Sequence, residues 1–92
     1  MKSNSDIENK LVYWVIKELS NRKKFRIIEL TQNKEVNITL IAREIKLAYN
    51  KCSDYCAKLE KVGLAHKRKQ GKEVFVKSRL NLGKLASILC IN

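Results

Sequence analysis

The sequence contains no proline and only three glycines in 92 residues, so neither a Pro-rich spacer nor a long Gly-rich linker is present. Cysteine is scarce and odd in number, at three, which excludes a disulfide framework. Long apolar runs are missing too. The longest, Leu11–Ile16, falls far short of the ~20 residues that span a bilayer, and it is too short and too far in for a secretory signal. There is one histidine, His66, with no Ser-His-Asp or Cys-His partner, no pair of carboxylates on one face and no phosphate-cradling glycine loop. The sequence therefore gives an enzyme no residues to work with and calls for no cofactor, no metal and no small-molecule substrate.

Negative charge is the other shortage. Nine acidic residues face twenty basic ones, giving a net charge of +11 and pointing to a polyanion as partner. The excess is uneven: +4 over residues 1–50 and +7 over residues 51–92. A hydrophobic share of 45% is that of a globular chain, and the length suits one small domain. These features place the product in the cytoplasm.

Apolar spacing divides the chain. Residues 6–20 read as a helix, with Ser5 and Glu8 as a capping box. Ile7, Leu11, Trp14, Val15 and Leu19 recur at helical spacing, and Val12, Tyr13 and Ile16 widen the stripe beyond what one core needs. A helix apolar on so many sides is expected to be shared between two subunits. Residues 24–33 read as a second helix with Phe25, Ile28 and Leu30 facing in, although Phe25, Ile27 and Ile28 would also suit a short strand. Val36 and Ile38 alternate as a very short strand, after which Thr39 caps a helix over Leu40–Lys46 with Ile41, Ala42 and Ile45 inside.

A longer helix spans Tyr49 to Lys61. Cys52, Cys56, Leu59 and Val62 lie on its inner side, Asn50, Asp54, Ala57, Lys58 and Lys61 opposite, and Lys51 and Tyr55 on the flank. Gly63 ends it. Ala65–Lys69 and Lys72–Lys77 then read as two strands turning at Gln70–Gly71. Residues 66–79 hold six positive charges against Glu73 alone, too many to fold back on a core. Leu80–Leu89 is a last helix, with Leu82, Leu85 and Leu89 on one stripe.

Short helix, turn, longer helix, Gly-Leu and a basic hairpin: the segment ITLIAREIKLAYNKCSDYCAKLEKVGL (38–64) followed by AHKRKQGKEVFV (65–76) resembles a winged helix-turn-helix DNA-binding domain. It is similar to small prokaryotic transcriptional regulators of the MarR and ArsR kind, and to short winged-helix proteins of archaea and their viruses. The expected fold is α+β, mainly helical: an N-terminal helix (1–22), a helix-turn-helix core (23–64), a wing hairpin (65–78) and a C-terminal helix (79–92). The resemblance implies that the helix from Tyr49 enters a major groove of double-stranded DNA. Asn50, Lys51 and Asp54 would then meet bases, and Tyr49, Tyr55 and Lys58 would flank them. Lys67, Arg68, Lys69, Gln70 and Lys72 of the wing would follow phosphates or the minor groove. Arg43 and the N-terminus of the Thr39-capped helix would hold a further phosphate.

A homodimer is expected through the terminal helices, by Leu11, Trp14, Val15, Leu85, Leu89 and Cys90. If the last helix lies on a two-fold axis, Cys90 could pair with its own copy. Cys52 and Cys56 bring to mind metal-sensing relatives, but two thiolates do not complete a tetrahedral site, and both are read as small core hydrophobes. The function expected is that of a dimeric, sequence-specific transcriptional regulator. The rivals are an architectural DNA-coating protein and a winged-helix module for RNA or protein.

Overall fold

The structure, a computed structural model, describes residues 4–89, the side chains of residues 4–9, 11, 12, 88 and 89 aside. The elements are α1 (Asn4–Leu19), α2 (Arg22–Leu30), β1 (Val36–Asn37), α3 (Ile38–Ile45), α4 (Tyr49–Lys61), β2 (Ala65–Gln70), β3 (Glu73–Ser78) and α5 (Leu82–Leu89). Among the described residues there are five helices and a three-stranded antiparallel sheet of order β1-β3-β2, the mainly helical α+β architecture expected.

α1 begins at Asn4, so Ser5 is a helical residue and not its cap. α2 starts two residues earlier than its apolar pattern suggests. Asn21 sits in extended backbone, and its side-chain oxygen accepts the Lys24 N–H at 3.1 Å, which fixes the start at Arg22. The helix ends at Leu30, where the buried Thr31 hydroxyl donates to the Ile27 carbonyl at 2.8 Å. Ile27 and Ile28 are fully buried, whereas Phe25 and Leu30 are only half-buried.

The cap of α3 is Asn37 and not Thr39: the Asn37 side chain accepts the Thr39 N–H at 2.7 Å. The physical reason is Ile38, which is buried in register with Ile41, Ala42 and Ile45 and so belongs to the helix's inner face. At its end Lys46 takes a left-handed conformation, φ 56°, while Leu47 N–H reaches back to the Ala42 carbonyl at 2.9 Å. This tight turn delivers the chain straight into α4.

α4 runs over the expected residues, with Ala48 ahead of it making no side-chain cap bond. Cys52, Cys56 and Leu59 are fully buried against α2, α3 and β2. Gly63, at φ +83°, turns the chain so that Leu64 N–H meets the Leu59 carbonyl at 2.9 Å and Leu64 re-enters the core. The hairpin closes at the pair Gln70–Glu73, one residue later than expected on its first strand, with Gly71 (φ +63°) and Lys72 as its two-residue loop. β1 pairs with β3 through Val36–Val76 and Asn37–Phe75, which ties the start of α3 to the hairpin.

α5 starts at Leu82 rather than Leu80 because the Asn81 side chain caps it, accepting the Lys84 N–H at 2.9 Å. The Gln32 amide holds this junction to the end of α2. It donates to the Leu80 carbonyl at 2.7 Å and accepts the Leu82 N–H at 2.8 Å. α1 packs chiefly on α2, through Val15 and Leu19 and a buried ion pair of Glu18 with Lys24 at 2.7 Å.

Candidate nucleic-acid interface

The turn after α3 sets the axis of α4, and the buried stripe of Cys52, Cys56 and Leu59 fixes its rotation. The opposite face then carries Asn50, Asp54 and Lys58, with Tyr49 and Lys51 beside them, all exposed. Tyr55 is half-buried and sits between two ammonium groups, its ring centroid 5.4 Å from Lys24 Nζ and 5.9 Å from Lys51 Nζ. It is a packing residue on the flank of that face, and it steadies Lys51.

The hairpin stands beside this helix, since β2 packs on α4. Lys69, Gln70 and Lys72 are exposed around its turn. Lys67 is half-buried, and its backbone N–H donates to Glu60 Oε2 of α4 at 3.0 Å, which pins the base of the hairpin to the helix. Arg68 is engaged otherwise than expected. Its guanidinium meets the Glu35 carboxylate at 2.9–3.1 Å in three hydrogen bonds, and Nη1 donates to Gln70 Oε1 at 2.8 Å. Hydrogen bonding from Arg68 holds the Glu35 carboxyl below its ordinary range, and the same bond raises Arg68.

Arg43 is exposed, at the end of α3 opposite its N-terminus. Arg43 lies in the last turn of the helix, and Asn37 and not Thr39 marks its start, roughly 9 Å away at 1.5 Å per residue.

On α1, Val15 turns inward against the core, and Trp14 lines a groove of about 660 Å³ with Lys17, Glu18, Lys24, Lys58, Lys61 and Val62. Trp14 is exposed by 45%, and so are Tyr13 and Ile16, by 59% and 62%, which belonged to the widened stripe but not to the expected interface set. Leu85 is half-buried on α5. The side chains of Leu11 and Leu89 lie outside those described, and Cys90 lies outside the described residues. Cys52 and Cys56 are both buried. Hydrogen bonding with Cys52 and then burial push the Cys56 thiol far up. Among the described residues no group of His, Cys, Asp and Glu is placed to hold a metal ion, and no helix is long and apolar enough to cross a membrane.

A helix-turn-helix whose second helix is flanked by a β-hairpin, with a third short strand tying the start of the first helix to that hairpin, is a winged helix, and this chain has that fold. Solved structures of the same fold match it over most of their length, among them the following three. Reduced HlyU from Vibrio cholerae has a TM-score of 0.79 at 19% identity, covering 94% of this chain and 90% of that one. The homodimeric winged helix-turn-helix DNA-binding domain of a possible ArsR-family transcriptional regulator from Mycobacterium bovis has a TM-score of 0.81 at 19% identity, covering 97% and 86%. The transcriptional repressor BigR from Xylella fastidiosa has a TM-score of 0.74 at 17% identity, covering 99% and 100%. At these identities the likeness is one of fold. No protein-family model and no curated relative matches the chain by sequence.

Proposed function

We propose that this chain is a dimeric transcriptional regulator that binds double-stranded DNA sequence-specifically in the cytoplasm. The observation that carries the reading is the exposed face of α4, with Asn50, Lys51, Asp54 and Lys58, on a helix against which the first strand of the basic hairpin packs. Inserted in a major groove, Asn50 bridges the N6 and N7 edge of an adenine, and Lys51 reaches guanine or a phosphate. Asp54 accepts from a cytosine amino group and repels phosphates in a wrong register; a surface built only to coat phosphates gains nothing from a carboxylate there. Tyr49 and Lys58 flank these contacts. Lys67, Lys69, Gln70 and Lys72 lie along the neighbouring backbone and provide affinity independent of sequence.

Dimerisation is the second half of the reading. Tyr13 and Ile16 leave an apolar face of α1 in solvent, Leu85 lies on α5, and the Mycobacterium bovis domain of the same fold is described as homodimeric. A two-fold pair would present its α4 helices to successive major grooves about 34–36 Å apart.

The test is selection from a random pool of duplex DNA at ~150 mM salt, a strength at which weak phosphate contacts alone are largely screened. Enrichment of a pseudo-palindrome with half-sites about ten base pairs apart is the expected result. Retention of DNA without an enriched motif would instead make this an architectural protein.

A further inference from the structure

Arg68 and Glu35 are separated by 33 positions in sequence and meet across the sheet. Arg68 lies on β2 opposite Phe75 of β3, and Phe75 is in turn paired with Asn37 of β1, two residues beyond Glu35. To reach Glu35 the arginine must therefore cross β3. It does so over the Phe75 ring, with its guanidinium carbon 5.0 Å from the centroid. On the far side Nε and Nη2 grip the carboxylate, while Nη1 turns back to Gln70 at the hairpin's closing pair.

One side chain thus joins three parts of the molecule: the tip of the hairpin, the face of the central strand, and the segment whose next polar residue, Asn37, caps α3. A two-stranded hairpin is marginal by itself, and β1 supports this one through only two residue pairs. A planar fork held at both ends constrains orientation in a way that a single-point ammonium does not.

We propose that Arg68 is a positioning residue: anchored by Glu35 and Phe75, it sets how the wing stands against the recognition helix and does not give its charge to a phosphate. The proposal rests on the DNA-binding reading above, from which it removes one expected contact. The wing's phosphate contacts are left to Lys67, Lys69 and Lys72. Glu35, which no feature of the sequence pattern singles out, becomes part of the binding apparatus without touching the ligand.

The test has two arms. In the free protein, ¹⁵N order parameters for residues 68–75 are measured in wild type, Glu35→Ala, Arg68→Lys and the charge swap Glu35→Arg with Arg68→Glu. Wild type is expected near the ~0.85 of rigid backbone, both single variants well below it around the turn, and the swap in between. In the second arm, affinity for a selected and for a scrambled duplex is followed against salt. Glu35→Ala releases a cation, so the slope of log K against log salt should steepen by about 0.9 per protomer, while discrimination between the two duplexes falls. A merely structural role would not steepen that slope. The proposal is overturned if Arg68→Ala makes the slope shallower by about 0.9 per protomer with hairpin order unchanged, since Arg68 would then be a phosphate contact. Should wild type bind no duplex at all, the functional reading fails, and the order parameters alone decide whether the brace exists.

Discussion

Raising salt from 50 to 200 mM is the sharpest perturbation of the proposed complex, because its size follows from which cations are free. With Arg68 held by Glu35, each wing offers Lys67, Lys69 and Lys72, or six cations in a dimer. Each phosphate neutralised contributes about 0.9 to the slope, so log K should fall with a slope of about −5.4 against log salt. Over a fourfold rise in salt that is a loss of about 10³ in affinity. Counting Arg68 as a fourth contact would give a slope of about −7 and a loss above ~10⁴, a difference that anisotropy titrations of one labelled duplex at four salt concentrations resolve. Lys69→Ala should reduce the slope by about 0.9 per protomer and weaken all sequences alike. A wild-type slope shallower than about −2 would refute the account, because the wings would then not be on the phosphates.

Four further outcomes follow from particular residues. Asn50→Ala should relax preference at one base position, a loss of about 1–3 kcal/mol of discrimination read by repeating the selection; an unchanged motif would remove Asn50 from the base-reading set. Lys24→Ala should destabilise the fold by about 3–5 kcal/mol in urea unfolding, because it strands the buried Glu18 carboxylate, whereas Glu18→Leu with Lys24→Leu should be close to neutral. Equal losses in the single and the double variant would mean that packing and not the ion pair holds α1 to α2. Ile16→Glu should shift the protein towards monomer in sedimentation equilibrium with an unchanged circular dichroism spectrum; a persistent dimer would move the interface off this face. Glu35 has a depressed folded pKa, so its contribution to the wing is complete above its ordinary 4.5 and is lost only as pH falls through the lower folded value. An NMR titration that finds Glu35 protonating at 4.5 or above would contradict the contact with Arg68.

The helices were legible where one local cause decides them. α4 has its inner stripe at clean helical spacing and a glycine where the backbone must turn left-handed, so its end follows from the residues alone, whereas Ala48 gives its start no side-chain cap. The start of α3 was not legible, because two good caps, Asn37 and Thr39, stand two residues apart around Ile38. Alternation assigns Ile38 to a strand; packing assigns it to the helix, and packing wins because Ile38 is in phase with Ile41 and Ile45. The start of α2 was hidden for a different reason. Its cap, Asn21, stands ahead of the apolar pattern, and Lys24 in its first turn is buried because the carboxylate that pairs with it, Glu18, belongs to another helix.

Charge by itself says little about the interface. A count of cations over residues 66–79 treats each as available, but availability is decided by partners that spacing does not bring near. Glu35 reaches Arg68 only because β1 pairs with β3 and β3 with β2, an order set by long-range pairing and invisible in the local pattern. Lys51 is steadied by Tyr55, and the Lys67 backbone by Glu60 on the helix behind it. Composition therefore gives an upper bound on the phosphate contacts, and the fold subtracts from it. In the proposed complex the fold adds direction in exchange: a cation withheld from the ligand orients the ones that remain. A wing with fewer free charges, held at one angle to the recognition helix, discriminates among sequences better than a more highly charged wing that moves.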